Sequence, residues 1–218
     1  MYTIHNTLSP TQCRMGILIM ENISNTPTDA FIKAKQDLEI SIREKYAGTQ
    51  RSELKTLRPM EAYINYYKKR GYTYHVLGQL ESVIKGKQIP SVLPCVEAMF
   101  MAELKNMMLT AGHDLNKVDF PVNLETCKGD ESFVTMSDKE VLTVAEDYMI
   151  KDNIDILSTI LRGPDKRTAI DKNTSKVIYT VYILPDIDES IAIEHLRDIQ
   201  MYVKLFSSDA MTSLMQIY

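Results

Sequence analysis

The sequence predicts an α+β fold. Three observations carry this. An apolar run, "CRMGILIM", opens the chain and is followed by helical periodicity. After Pro121 the pattern changes to short apolar segments separated by turn residues, and the chain closes on a long amphipathic stretch. Strands and helices are thus segregated rather than alternating as βαβ units. No linker rich in Gly, Ser or Pro divides the 218 residues and no repeat is visible, so one domain over residues 1–218 is expected.

In order, "CRMGILIM" reads as a strand. In "NTPTDAF", Thr26 is placed to cap a helix with Pro27 at its first position. Phe31, Ala34, Leu38 and Ile42 then recur at helical intervals and form one apolar stripe. A second helix starts near Pro59 and stops at Gly71. A third is short, in "GQLESVIKGK", and Pro90 and Pro94 punctuate the chain after it. "CVEAMFMAELKNMML" reads as a methionine-rich helix reaching almost to Ala111-Gly112, its Met99, Met101, Met107 and Met108 read as core packing before an adaptable groove. "PVNLETC", "SFVTM", "EVLTV", "DYMI", "NIDILSTIL" and "KVIYTVYIL" read as strands. Ala192, Leu196, Ile199, Val203 and Phe206 give the closing helix its packing stripe.

Composition bounds function. With 44% hydrophobic and 25% charged residues the chain can bury a sizeable core. Its apolar runs are far shorter than the roughly twenty residues a membrane helix needs. The first residues lack the pattern of a secretory signal, so the cytoplasm is the expected compartment and no membrane partner is expected. Cys13, Cys95 and Cys127 fit neither a disulfide framework nor a zinc knuckle and read as buried free thiols. His5, His75, His113 and His195 are scattered, so no metal and no cofactor are expected. His113-Asp114, adjacent and pointing different ways, reads as a loop or capping pair rather than a catalytic dyad.

The net charge of -4 conceals a basic third: between Arg51 and Pro90 there are eight Lys/Arg against three acids. Lys68, Lys69, Arg70, Lys85 and Lys87 in that third are the candidate RNA-binding residues, with tyrosines interleaved in "YINYYKKRGYTYH". Cations that meet phosphates beside rings that stack on bases suit RNA, and DNA is not expected. The plainer reading packs Tyr63, Tyr66 and Tyr67 on one helix face and leaves the cations in solvent. A further charged segment, Gly163 to Thr174, separates two apolar runs. Gly163-Pro164-Asp165 has the chemistry of a strand connection, and the absence of a second glycine before Lys-Ser/Thr excludes a phosphate loop.

From "RPMEAYINYYKKRGY" through "SVIKGKQIPSVLPCVEAMFMAELKNMMLTAGHDL" to "TILRGPDKRTAIDKNTSKVIYTVYI", the chain resembles the B-three/B-four domain of the phenylalanyl-tRNA synthetase beta subunit, especially its free-standing bacterial versions. The matching steps are Lys85-Gly86-Lys87, Val96-Glu97, Asp114-Leu115, Gly129 with Asp130-Glu131, and Gly163, Asp165 and Thr174. The resemblance implies curved, mostly antiparallel sheets with flanking helices, divided into an N-terminal strand and helix (1–57), a family-like core (58–206) and a C-terminal tail (207–218). It also implies tRNA or aminoacyl-tRNA as partner and hydrolysis of a mischarged aminoacyl ester as the activity. On that analogy Asp114, Arg162, Gly163, Asp165, Arg167, Thr168 and Thr174 are the substrate-binding residues, with no catalytic base assigned. The sequence departs from the family at Leu93-Pro94, where paired asparagines stand, at Ala111, where a histidine stands, and at Arg162, the first of a double glycine. A non-catalytic module holding an amino acid or small metabolite on the same fold is the alternative, as is a protein-interaction domain.

Overall fold

The computed structural model describes residues 2–9 and 11–218. The N-terminal half runs β1 (Ile4–Asn6), β2 (Arg14–Glu21), α1 (Asp29–Lys45), α2 (Arg51–Leu54), α3 (Met60–Lys68), α4 (His75–Ile84) and α5 (Pro94–Asn106). It continues with β3 (Thr110–Asp114), β4 (Val122–Thr126), β5 (Ser132–Val134), β6 (Glu140–Leu142), β7 (Tyr148–Lys151), β8 (Ile156–Thr159) and β9 (Gly163–Pro164). Then come β10 (Val177–Ile183), α6 (Glu189–Phe206) and β11 (Met211–Ile217). The fold is α+β, with sheets of order β1-β4-β7-β8-β9 and β11-β2-β10-β3 and a separate β5-β6 hairpin. Only the β1–β4 pairing is parallel among the described strands.

The unbroken apolar character of β2 and β10 follows from their place. They pair antiparallel in the middle of the four-stranded sheet, and every residue of β10 is buried. Strands covered on both faces lose the usual alternation. The α6 stripe Ala192, Leu196, Ile199, Val203 and Phe206 is buried against β2 and α5. Each fully buried aliphatic side chain of such a stripe contributes about 1.5–3 kcal/mol. One hydrophobic cluster runs from Ile4 to Ala210 and takes in Met99, Met101, Met107 and Met108, of which Met99 also lines a cleft. The three cysteines are free and buried. No helix among the described residues is long and apolar enough to cross a membrane.

Four expectations need correction. The cap of α1 is Thr28, whose hydroxyl accepts the Phe31 N–H at 3.2 Å, so Pro27 precedes the helix instead of opening it. The methionine-rich helix ends at Asn106, with Met107 in a left-handed conformation (φ 60°), and Thr110–Asp114 becomes a strand because β10 offers it a pairing edge. Residues 211–217 are not a tail: they pair with β2 along its other edge. His113 belongs to neither a loop nor a cap, since it is a buried strand residue of β3.

Two polar side chains on α1, absent from its predicted stripe, are also buried. Lys35 Nζ lies 2.6 Å from Glu97 Oε2 on α5 and 2.7 Å from Ser91 Oγ. Glu39 Oε1 accepts the Ile89 N–H at 2.7 Å. Both tie the 86–93 connection between α4 and α5 to α1.

Candidate functional site

A cleft of about 650 Å³ opens between α3, α4 and α5 on one side and β3, β8–β9 and β10 on the other. Helix α5 offers it Val96, Met99, Phe100 and Glu103, whose spacing puts them on a single helix face. Tyr67 and Tyr72 bracket the α3–α4 turn, and Thr110, Ala111 and Gly112 supply the strand wall. At Gly112 a Cβ would come within 3.1 Å of Ile170 Cδ1, so glycine lets the 168–170 segment lie against β3. The lining is apolar with a few polar groups, the usual make-up of a small-ligand site. A second groove of about 390 Å³ adjoins it, sharing His75, Gln79 and Phe100 and carrying Lys87 on its wall.

Gly163, Pro164, Ala169 and Ile170 of the charged segment line this cleft, while Lys166 and Asp171–Asn173 are exposed. The turn itself falls at Ile160–Arg162, while Gly163 (φ 77°) and Pro164 pair with Thr159 and Ser158 as β9. Arg162 and Gly163 reach the cleft; Arg162 sits 5.4 Å from the Tyr72 ring centre and donates to the Leu142 carbonyl at 3.1 Å.

The other five expected residues lie outside the cleft lining. Thr168 is fully buried, its amide donating to Asp165 Oδ2 at 3.1 Å and its hydroxyl bonding Asp165 Oδ1. The same hydroxyl lies 2.8 Å from His113 Nδ1. One hydroxyl proton can serve only one of these acceptors, and His113 Nε2 is left buried without a partner. Asp114 Oδ2 accepts the Thr174 hydroxyl at 2.9 Å. Arg167 is held by Asp152, whose oxygens lie at 2.9 and 3.0 Å, and by the Lys117 carbonyl at 2.8 Å. Of the segment's charged groups, Asp165 and Arg167 are tied into the fold, while Lys166, Asp171 and Lys172 stay in solvent.

In the basic third, Tyr63, Tyr66, Tyr67 and Tyr74 are buried, so the rings offer no stacking platform and only Tyr72 is half-exposed. Their hydroxyls donate inward: Tyr67 to the Ile160 carbonyl at 2.5 Å, Tyr63 to the Tyr182 carbonyl, and Tyr66 to Asp147 at 2.8 Å. Arg70 lies over the Tyr66 ring at 4.0 Å and donates to the Glu146 carbonyl at 2.7 Å. Lys68, Lys69, Lys85 and Lys87 are exposed.

Glu103 escaped the sequence reading. It is 2% exposed, and its Oε1 accepts the Thr110 N–H at 2.8 Å. Burial raises its pKa to about 8, the Thr110 amide offsetting part of the rise. The available signal was an acid on the helix face shared by Val96, Met99 and Phe100. Behind Thr110, buried His195 places Nε2 2.6 Å from the threonine hydroxyl, and burial lowers its pKa to about 4 despite nearby Asp198. Among the described residues no cluster of three or more His, Cys, Asp or Glu could hold a metal ion.

No protein-family profile matches the sequence, and no curated protein matches it. Structure decides more. The fold is similar to that of an N-terminal fragment of the phenylalanyl-tRNA synthetase beta-subunit from Pyrococcus horikoshii. The TM-score is 0.52 at 10% identity, covering 98% of this chain and 54% of that one. The chain therefore spans about half the length of the fragment. At this identity the likeness is one of fold.

Proposed function

We propose that the protein binds the aminoacylated end of a tRNA, with the aminoacyl group in the cleft. The supporting observation is a largely apolar cleft, about 650 Å³, adjoined by a groove that carries the exposed Lys87 on its wall. Its volume suits an amino-acid side chain with part of the terminal nucleoside. The adjoining groove with Lys87 and the α3–α4 turn with Lys68 and Lys69 would meet the phosphates of the tRNA end. Arg162 at the mouth is the nearest cation to an occupant's ester or phosphate.

Ester cleavage in this cleft would use water and not a protein nucleophile. Ser158 Oγ is engaged with the Tyr182 hydroxyl at 2.9 Å, and Thr159 Oγ1 accepts the Arg162 N–H at 3.0 Å. A positioned water beside a polarised ester is sufficient chemistry when binding fixes the geometry.

A second reading, a module that holds a free amino acid, is favoured by those same occupied hydroxyls. The two readings separate on salt dependence. Binding of tRNA to the wild type is expected to weaken steeply between low and high salt, and Lys68→Ala, Lys69→Ala and Lys87→Ala should each reduce the slope by about one. Salt-independent binding of a free amino acid, with no retention of tRNA, would decide for the second reading.

A further inference from the structure

Glu103 is the one carboxylate lining the cleft among the described residues. Its side chain has a single hydrogen bond there, from Thr110 N–H to Oε1, which leaves Oε2 without a protein partner. The tyrosine hydroxyls around it give their protons elsewhere. Tyr67 donates to the Ile160 carbonyl, Tyr63 to that of Tyr182, and Tyr74 to that of Met107 at 3.2 Å. Thr110 Oγ1 is engaged with His195. Nor does a cation offset the charge, since burial and the Thr110 amide are the influences on its proton affinity. A helix C-terminus also disfavours an anion, and Glu103 lies within one turn of the end of α5. A buried carboxylate becomes stable when a cation with N–H donors reaches it.

We propose that Glu103 reads a free primary ammonium group on the cleft's occupant, so that the ligands are α-amino compounds with an unblocked amine and a large apolar side chain. The assignment rests on the cleft being an acyl-group site and is independent of whether tRNA carries that group. Val96, Met99, Phe100 and Ile170 wall the side chain while Glu103 takes the amine. An N-acylated analogue would bring a bulky neutral amide against the carboxylate and lose the charged contact. Because Glu103 holds a proton near neutral pH when the cleft is empty, binding a cationic amine releases that proton to solvent. The other titratable groups around it are Tyr63 and Tyr67 on α3, Tyr74 and His75 at the start of α4, Arg162 after β8 and His195 on α6. Burial pushes the three tyrosines far above neutrality and keeps His195 uncharged there, while His75 is also shifted downward.

Calorimetric titration of the full chain with L-phenylalaninol and with N-acetyl-L-phenylalaninol tests this. The wild type is expected to bind the free amine at least about tenfold more tightly and to release close to one proton at pH 7, read from buffers of different ionisation enthalpy. In Glu103→Gln, where the amide still accepts the Thr110 N–H, the preference should fall to within about twofold and the proton release should vanish. Equal affinities for the two compounds in the wild type, no binding of either, or an unchanged preference in a folded Glu103→Gln would overturn the assignment. Discrimination by Glu103 in a protein that retains no tRNA would instead leave the assignment standing and remove only the tRNA.

Discussion

At pH 9 the Glu103→Gln variant is expected to be more stable than the wild type, and at pH 5 the two should unfold together. The cause is linkage. Glu103 is buried with its pKa raised to about 8, against an ordinary value of 4.5. Between those values the native state holds a proton that the unfolded chain releases, so stability falls as pH rises through this window. A single group changes stability by up to about 1.4 kcal/mol per pH unit, so the difference at pH 9 is expected to reach several kcal/mol. The amide substitution keeps the acceptor for Thr110 N–H and removes the titration, leaving the neutral-side packing untouched. Urea unfolding at both pH values measures it, and equal stabilities at pH 9 would mean that water reaches the carboxylate freely.

The second large effect concerns the ion pair between Lys35 and Glu97. Both residues are buried, and the pair links α1 to the start of α5, where Glu97 Oε1 also accepts the Val92 N–H at 2.9 Å. Lys35→Met alone strands a carboxylate away from solvent and is expected to lower stability by about 3–5 kcal/mol. Lys35→Met with Glu97→Leu should recover most of that loss, because two desolvated charges leave together and only the Val92 amide loses its acceptor. Denaturant titration of the single and double variants gives the coupling directly. A single variant that loses less than about 1 kcal/mol would show that the pair is open to water.

How much of this is legible in the sequence depends on where each residue's partners lie. β2, β10 and α6 stand out because burial on both faces, or along one stripe, writes an unbroken or periodic apolar pattern. β1, β3 and β11 do not. "TAGHD" has neither alternation nor β-branched enrichment, and it is a strand because β10 presents an edge to it. The helical spacing of the α3 tyrosines puts them on a packed face, as the structure has them, whereas the charges of residues 163–174 mislead. Asp165, Arg167 and Thr174, substrate-binding on the family analogy, each find a partner within the fold, Thr168, Asp152 or Asp114. Glu103 is hidden for the opposite reason: one acid in a methionine-rich helix looks like an ordinary solvated position until α3 and β3 close over it. Of the residues expected on the family analogy, Arg162 and Gly163 line the cleft, while Asp114, Asp165, Thr168 and Thr174 are buried outside its lining.

The measurement that bears most directly on the function is the affinity of the wild-type protein for one tRNA in two states, uncharged and carrying tyrosine on the tRNA for phenylalanine, at a single salt concentration. Phosphate contacts are the same in both, so any difference comes from the aminoacyl group in the cleft. The aminoacylated form is expected to bind at least about tenfold more tightly, or about 1.4 kcal/mol, and Met99→Arg, which puts a charge into the apolar wall, should remove the difference. Equal affinity for the two forms would contradict this expectation and leave the cleft without a role in tRNA binding.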